Sequence, residues 1–230
     1  MYNLICAMGF IFVIVLSKLI QKSSKKELLI KYISCAILLY KSCHYIIENL
    51  KGNICVPVEI SAISYFLVTI IVIFKIKSLY SVGAFYGIVA GLGFFSFYLI
   101  LGFKFQNSIS LSKFVVACIC HGYLLLTGLH LFQNHSFNQN EKNKIWITIF
   151  AMLGWALLFY NIPVSGTTFV SFIIKPEFLF VFNQTILNLT MLALYYALLV
   201  FAFWNIVNIF FKLNKRQVYS TNNQENKTHL

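Results

Sequence analysis

Six side chains in this sequence combine a reactive or ionisable group with an apolar setting, and they fall in three short stretches: Lys41 and His44, Glu59 and Ser61, Cys118 and His121. An imidazole such as His121 can serve as a general base toward a hydroxyl or a thiol. Ser61, or less readily Cys118, would then accept an acyl group. Glu59 would orient His121 and leave its other ring nitrogen open. Cys118 lies one turn before His121, on a neighbouring helix face. The same region also supplies a binding set, because Lys41, His44, Glu59, His121 and Asn161 can hold a polar solute without any covalent step. Plainer readings stand beside these. Lys41 can snorkel to an interface, His44 can sit among headgroups, and Ser61 can bond back to its own helix. His130 and His135 read as solvated residues at the edge of a span. Cys6, Cys35, Cys43, Cys55, Cys118 and Cys120 have neither zinc-ligand spacing nor a disulfide framework. They read as small hydrophobes, and no cofactor or metal is expected.

The elements that must position these groups follow from composition. Of 230 residues, 60% are hydrophobic and 10% charged, with 18 Lys+Arg against 6 acids, all of them Glu. A soluble domain carries about 25% charged residues, so a soluble enzyme is excluded, and a disordered chain would be polar. An all-α polytopic membrane bundle remains, with seven spans at about 2–20, 28–47, 54–74, 79–103, 114–132, 145–165 and 184–211. Met1–Ile20 lacks the basic lead and cleavage site of a signal peptide and reads as the first span. The pattern is that of one transmembrane domain, 1–211, followed by a disordered cytoplasmic tail, 212–230.

Charge placement sets the orientation. With seven spans, 13 basic residues fall on one side and 4 on the other, and Lys41 stays inside the membrane. Without the second span the division is 10 against 8. The positive-inside bias therefore places the N-terminus outside and the C-terminus in the cytoplasm. The net charge of +12 then marks a cytoplasmic collar and not a nucleic-acid surface. The segment Gly166–Phe182, broken by Lys175-Pro176-Glu177, reads as an interfacial or re-entrant element on the outer side.

In this topology the polar groups share one level, the outer half of the membrane. Lys41, His44, Glu59, Ser61, Cys118 and His121 lie there, with Asn161 ending the sixth span and Asn188 opening the seventh. Charged groups at such depth cost about 2.5–3.5 kcal/mol at the bilayer centre and face a bundle interior or wet cavity. Pro57 is expected to kink the third span, and Gly87, Gly91 and Gly93 to allow close helix approach. Glu59 and Ser61, two apart, point to opposite sides of an ideal helix unless Pro57 disrupts it.

Four stretches resemble, in order, the YwaF-like integral membrane proteins, whose animal relative is transmembrane protein 164. They are Val56-Pro57-Val58-Glu59-Ile60-Ser61, Tyr86-Gly87 with Ala90-Gly91, Cys120-His121-Gly122, and Gly166-Thr167-Thr168-Phe169 with Lys175-Pro176. The resemblance covers about residues 40–180. It implies a compact helical bundle and phospholipid acyl transfer by a Cys and a His. The His role falls on His121, the Cys position on Ser61, a second His on Glu59 and an Asn on Thr168. Membrane phospholipids are then the expected partners, with no nucleic acid. A transport or solute-binding subunit, which would take a small-molecule substrate or a membrane protein partner, is the competing expectation. A purely structural polar knot is a third. A heptahelical receptor is disfavoured, because the seventh span has no Lys to carry a Schiff base.

Overall fold

The structure, a computed structural model, describes residues 1–52, 54–101, 110–159 and 185–228, without the side chains of 101, 185–188 and 216–228. Among the described residues there are seven α-helices and no strands: α1 (Tyr2–Gln21), α2 (Lys26–Leu50), α3 (Ile60–Ile73), α4 (Tyr80–Leu101), α5 (Leu111–Asn134), α6 (Lys142–Leu158) and α7 (Thr185–Thr228). Four stretches are long and apolar enough to cross a membrane: Tyr2–Gln21, Lys77–Ile100, Leu111–Asn134 and Leu189–Lys215. A helix is the natural outcome for such runs, since it pairs every backbone polar group internally.

Helix ends follow local chemistry. Lys18 occupies the last turn of α1, where a cation suits the helix dipole. Ser23 accepts from Lys25 N at 3.2 Å in the turn to α2. Just beyond α2, Gly52 takes φ of 83°, the left-handed conformation that glycine reaches without a Cβ clash. At the end of α3, Ile76 N bonds Ile71 O at 3.0 Å, and Lys75 adopts φ of 52° where glycine is usual.

The third span differs from its expected bounds. The helix starts at Ile60, not at residue 54, and residues 54–58 are non-helical. Proline lacks a donor and biases the residue before it toward extended backbone. Pro57 therefore precedes α3 and does not kink it. With 14 residues, α3 rises about 21 Å, short of a ~30 Å hydrocarbon core. The last helix, by contrast, continues past residue 211 to Thr228, into the segment assigned to the tail.

The chain groups into two compact units. The first comprises Met1–Lys51 and Ser61–His135; the second comprises Gly52–Ile60 and Ser136–Leu230. In the first unit α5 is the central helix: 67% of its apolar window is buried, against 22% for α1 and 39% for the span containing α4. It lies closest to α4, and glycines make that approach workable. A Cβ on Gly87 would stand 2.7 Å from Leu124 O, and one on Gly128 would stand 2.6 Å from Ile88 N. Gly91 is equally tight against Leu125, while Gly93 meets nothing within 4 Å. The expectation of close approach thus holds at Gly87 and Gly91 and fails at Gly93.

In the second unit, Asn138 caps the 3-10 turn before α6 by accepting from Asn140 N at 3.2 Å. Lys142 Nζ reaches Asn208 at 2.6 Å, Phe137 N reaches the buried Asn214 at 2.9 Å, and Trp155 Nε1 donates to Pro57 O at 3.0 Å. These bonds tie α6, its lead-in and the non-helical 54–58 segment to their neighbours within that unit.

Candidate functional site

His121 sits midway along α5 in an aromatic setting. Its ring stacks on Phe94 of α4 at 4.1 Å and 7°, and meets Tyr65 of α3 edge-on at 5.6 Å. Its Nδ1 lies 3.3 Å from Ala90 O. A carbonyl only accepts, so Nδ1 carries the proton and donates. In a neutral imidazole the other nitrogen, Nε2, then presents a lone pair. No hydrogen bond to Nε2 is found among the described residues. The orienting bond anticipated from Glu59 is thus supplied at Nδ1 by a backbone carbonyl.

Lys41 turns inward across to α3. Its ammonium stands 4.2 Å from the Tyr65 ring centroid and 5.6 Å from that of Tyr40, and it acts electrostatically on the buried Cys120 thiol. Tyr65 therefore touches both Lys41 and His121, which makes it the hinge of the cluster. Cation–π contacts of this kind are worth about 0.5–2 kcal/mol. Tyr65 and Cys120 share an apolar core with Ile37, Val68, Tyr123 and Leu124. Within the first unit, no carboxylate forms an ion pair with Lys41 among the described residues.

The other sequence-derived residues divide. Ser61 lies in the first turn of α3, half-buried, one turn before Tyr65 and on the same helix face. No hydrogen bond joins it to His121 among the described residues. Cys118 is buried on α5 near Cys6 and Tyr98, and no hydrogen bond joins it to His121 among the described residues. His44 is exposed and lies among the rings of its own helix, 6.4 Å from Tyr40 and 5.7 Å from Tyr45. Glu59, half-buried, occupies the bend before α3 and belongs to the second unit. Asn161 and Thr168 lie outside the described residues, as does the segment 166–182. Asn188 lies on α7, but its side chain is likewise outside the description.

A second polar cluster was not anticipated. His130, read from sequence as solvated, is 2% exposed. Its Nε2 donates to Glu27 Oε1 at 3.1 Å, and its Nδ1 accepts from Gln21 Nε2 at 3.3 Å. Asn134 donates to His130 O at 2.7 Å and to Gln21 Oε1 at 3.0 Å, while accepting from Lys26 Nζ at 2.5 Å. His135, half-buried, packs 4.4 Å from Tyr80. The signal for this network was present: Glu27 is a lone acid in a lysine-rich turn, and His130 and Asn134 are spaced i, i+4.

Among the described residues, fold and site together show an all-helical architecture, four helices long and apolar enough to cross a membrane, and an aromatic-lined histidine inside one of the helical units. Comparison with family models, curated proteins and solved structures gives no match.

Proposed function

We propose that this chain is a multi-pass protein of the cell membrane, of the YwaF-like kind, and that it transfers acyl chains between phospholipids. The proposal keeps the seven-span topology with the C-terminus in the cytoplasm. The observation that carries it is the Nδ1–H bond of His121 to Ala90 O, which leaves Nε2 as the open base. Ser61 Oγ would attack the ester carbonyl of a phospholipid, giving its proton to Nε2. The lysophospholipid leaves as an alcohol and takes that proton back. The acyl–Ser61 ester then passes its acyl group to the hydroxyl of a second lipid, and Ser61 regains its proton. Catalytic contacts are commonly looser without substrate than in the reacting complex, so the open Ser61–His121 separation is compatible with this order. Lys41 would pair with the lipid phosphate. Lipid profiles of cells carrying His121→Ala test the reading: a shifted phospholipid acyl composition is expected, and an unchanged one refutes it.

One observation favours a second reading. The inward-turned Lys41 ammonium has aromatic neighbours and, among the described residues of its own unit, no counter-ion, which suits a site that binds an anionic solute without chemistry. Uptake or binding lost in Lys41→Met but kept in His121→Ala would support that reading over acyl transfer.

A further inference from the structure

Three candidate spans end together in the first unit. Gln21 closes α1, Lys77 opens the span containing α4, and Asn134 closes α5. Gln21 and Asn134 are hydrogen-bonded at 3.0 Å. Lys77 stands three residues before Tyr80, whose ring packs 4.4 Å from His135, and Lys26 at the start of α2 bonds Asn134, the residue before His135. Lysines from two separate turns therefore flank the Tyr80–His135 pair, at the level where apolar helices give way to polar chain.

The charges at this edge do not cancel. Its one acid, Glu27, bonds the neutral His130 and sets a single negative charge against Lys22, Lys25, Lys26, Lys75 and Lys77. Lys26 is held by a neutral amide, that of Asn134. Lys22, Lys25 and Lys75 are exposed in the same two turns. The Tyr80 ring beneath His135 adds an amphipathic floor of the sort found at headgroup depth.

We propose that this edge binds the phosphate headgroup of an anionic phospholipid, with Lys26 and Lys77 as its cationic clamps on either side of the Tyr80–His135 pair. The ligand chemistry is a phosphate ester, and the span ends at this level commit it to a lipid of the adjoining leaflet. The site is separate from the His121 cluster and requires no catalysis. Juxtamembrane lysines each contribute about fivefold to the affinity for an anionic lipid surface.

The test uses the full chain in nanodiscs of phosphatidylcholine with and without phosphatidylglycerol, counting retained lipid by native mass spectrometry after release. Preferential retention of phosphatidylglycerol is expected, weakened about fivefold by Lys77→Gln and about 25-fold when Lys26→Gln is added. Lys77 is exposed, so its variant separates binding from folding. Lys51→Gln, at the opposite end of α2, should leave retention unchanged. Equal retention by wild type and Lys77→Gln, or equal loss in Lys51→Gln, overturns the proposal. So does full thermal stabilisation by inorganic phosphate alone, which would make the ligand a free anion.

Discussion

His121 and His130 lie nine residues apart on α5, about 13 Å along the helix, and their rings are held in opposite tautomers. His121 donates from Nδ1 to a carbonyl and is otherwise faced by Phe94 and Tyr65. His130 accepts at Nδ1 from an amide and donates from Nε2 to a carboxylate. Rings fix the plane of an imidazole but satisfy none of its polar atoms. A side-chain network satisfies both nitrogens and leaves nothing for a substrate. The same residue type thus becomes an open base at one end of the first unit and a closed tie at the other, according to whether its neighbours are aromatic or polar.

The largest effect comes from removing the frame common to both sites. Gly128 lies between the two histidines, and a side chain there would drive into α4 backbone. Gly128→Val should cost about 3 kcal/mol or more, the upper end for overpacking, and monodisperse folded protein should be lost in size-exclusion chromatography. Next, the two histidines should separate. His130→Ala strands the groups around Gln21 and Glu27 and should cost about 1–3 kcal/mol of stability in thermal unfolding. His121→Phe keeps a flat ring on Phe94 and should cost under about 1 kcal/mol, while eliminating any acyl transfer. Equal destabilisation by the two would dissolve the contrast.

The smallest effect is a pH dependence at the edge beside His130. Burial, with Lys77 and Lys26 adding to it and Glu27 opposing, holds His135 below its ordinary value of 6.5. In that window the unfolded chain binds the proton first, so stability is retained above pH 6.5 and declines as pH falls through the lowered value. Lys77→Gln should bring the folded-state value back toward 6.5, so the decline becomes smaller and ends at higher pH, followed by unfolding at a series of pH values.

The long apolar helices were legible because apolar length has one structural solution in lipid, and α1, α4 and α5 fall close to their expected bounds. The bounds of the third span were misread because hydropathy does not register the backbone cost of Pro57, whereas α3 begins only after it. Grouping Lys41 with His121 was legible from depth alone. Tyr65, which joins them, was not, since an aromatic residue in an apolar helix gives no polar signal until its rotation is known. His130 was misjudged for the reverse reason: a span edge predicts solvent, and only the meeting of α1, α2 and α5 removes it. Ser61 remains a positional assignment, one turn from Tyr65.

The most direct test of the contrast is the 15N spectrum of histidine-labelled protein in nanodiscs, assigned with His121→Phe and His130→Ala. The account predicts the Nδ1–H tautomer at His121 and the Nε2–H tautomer at His130. Finding the Nε2–H tautomer at His121 would remove its open base and contradict the account.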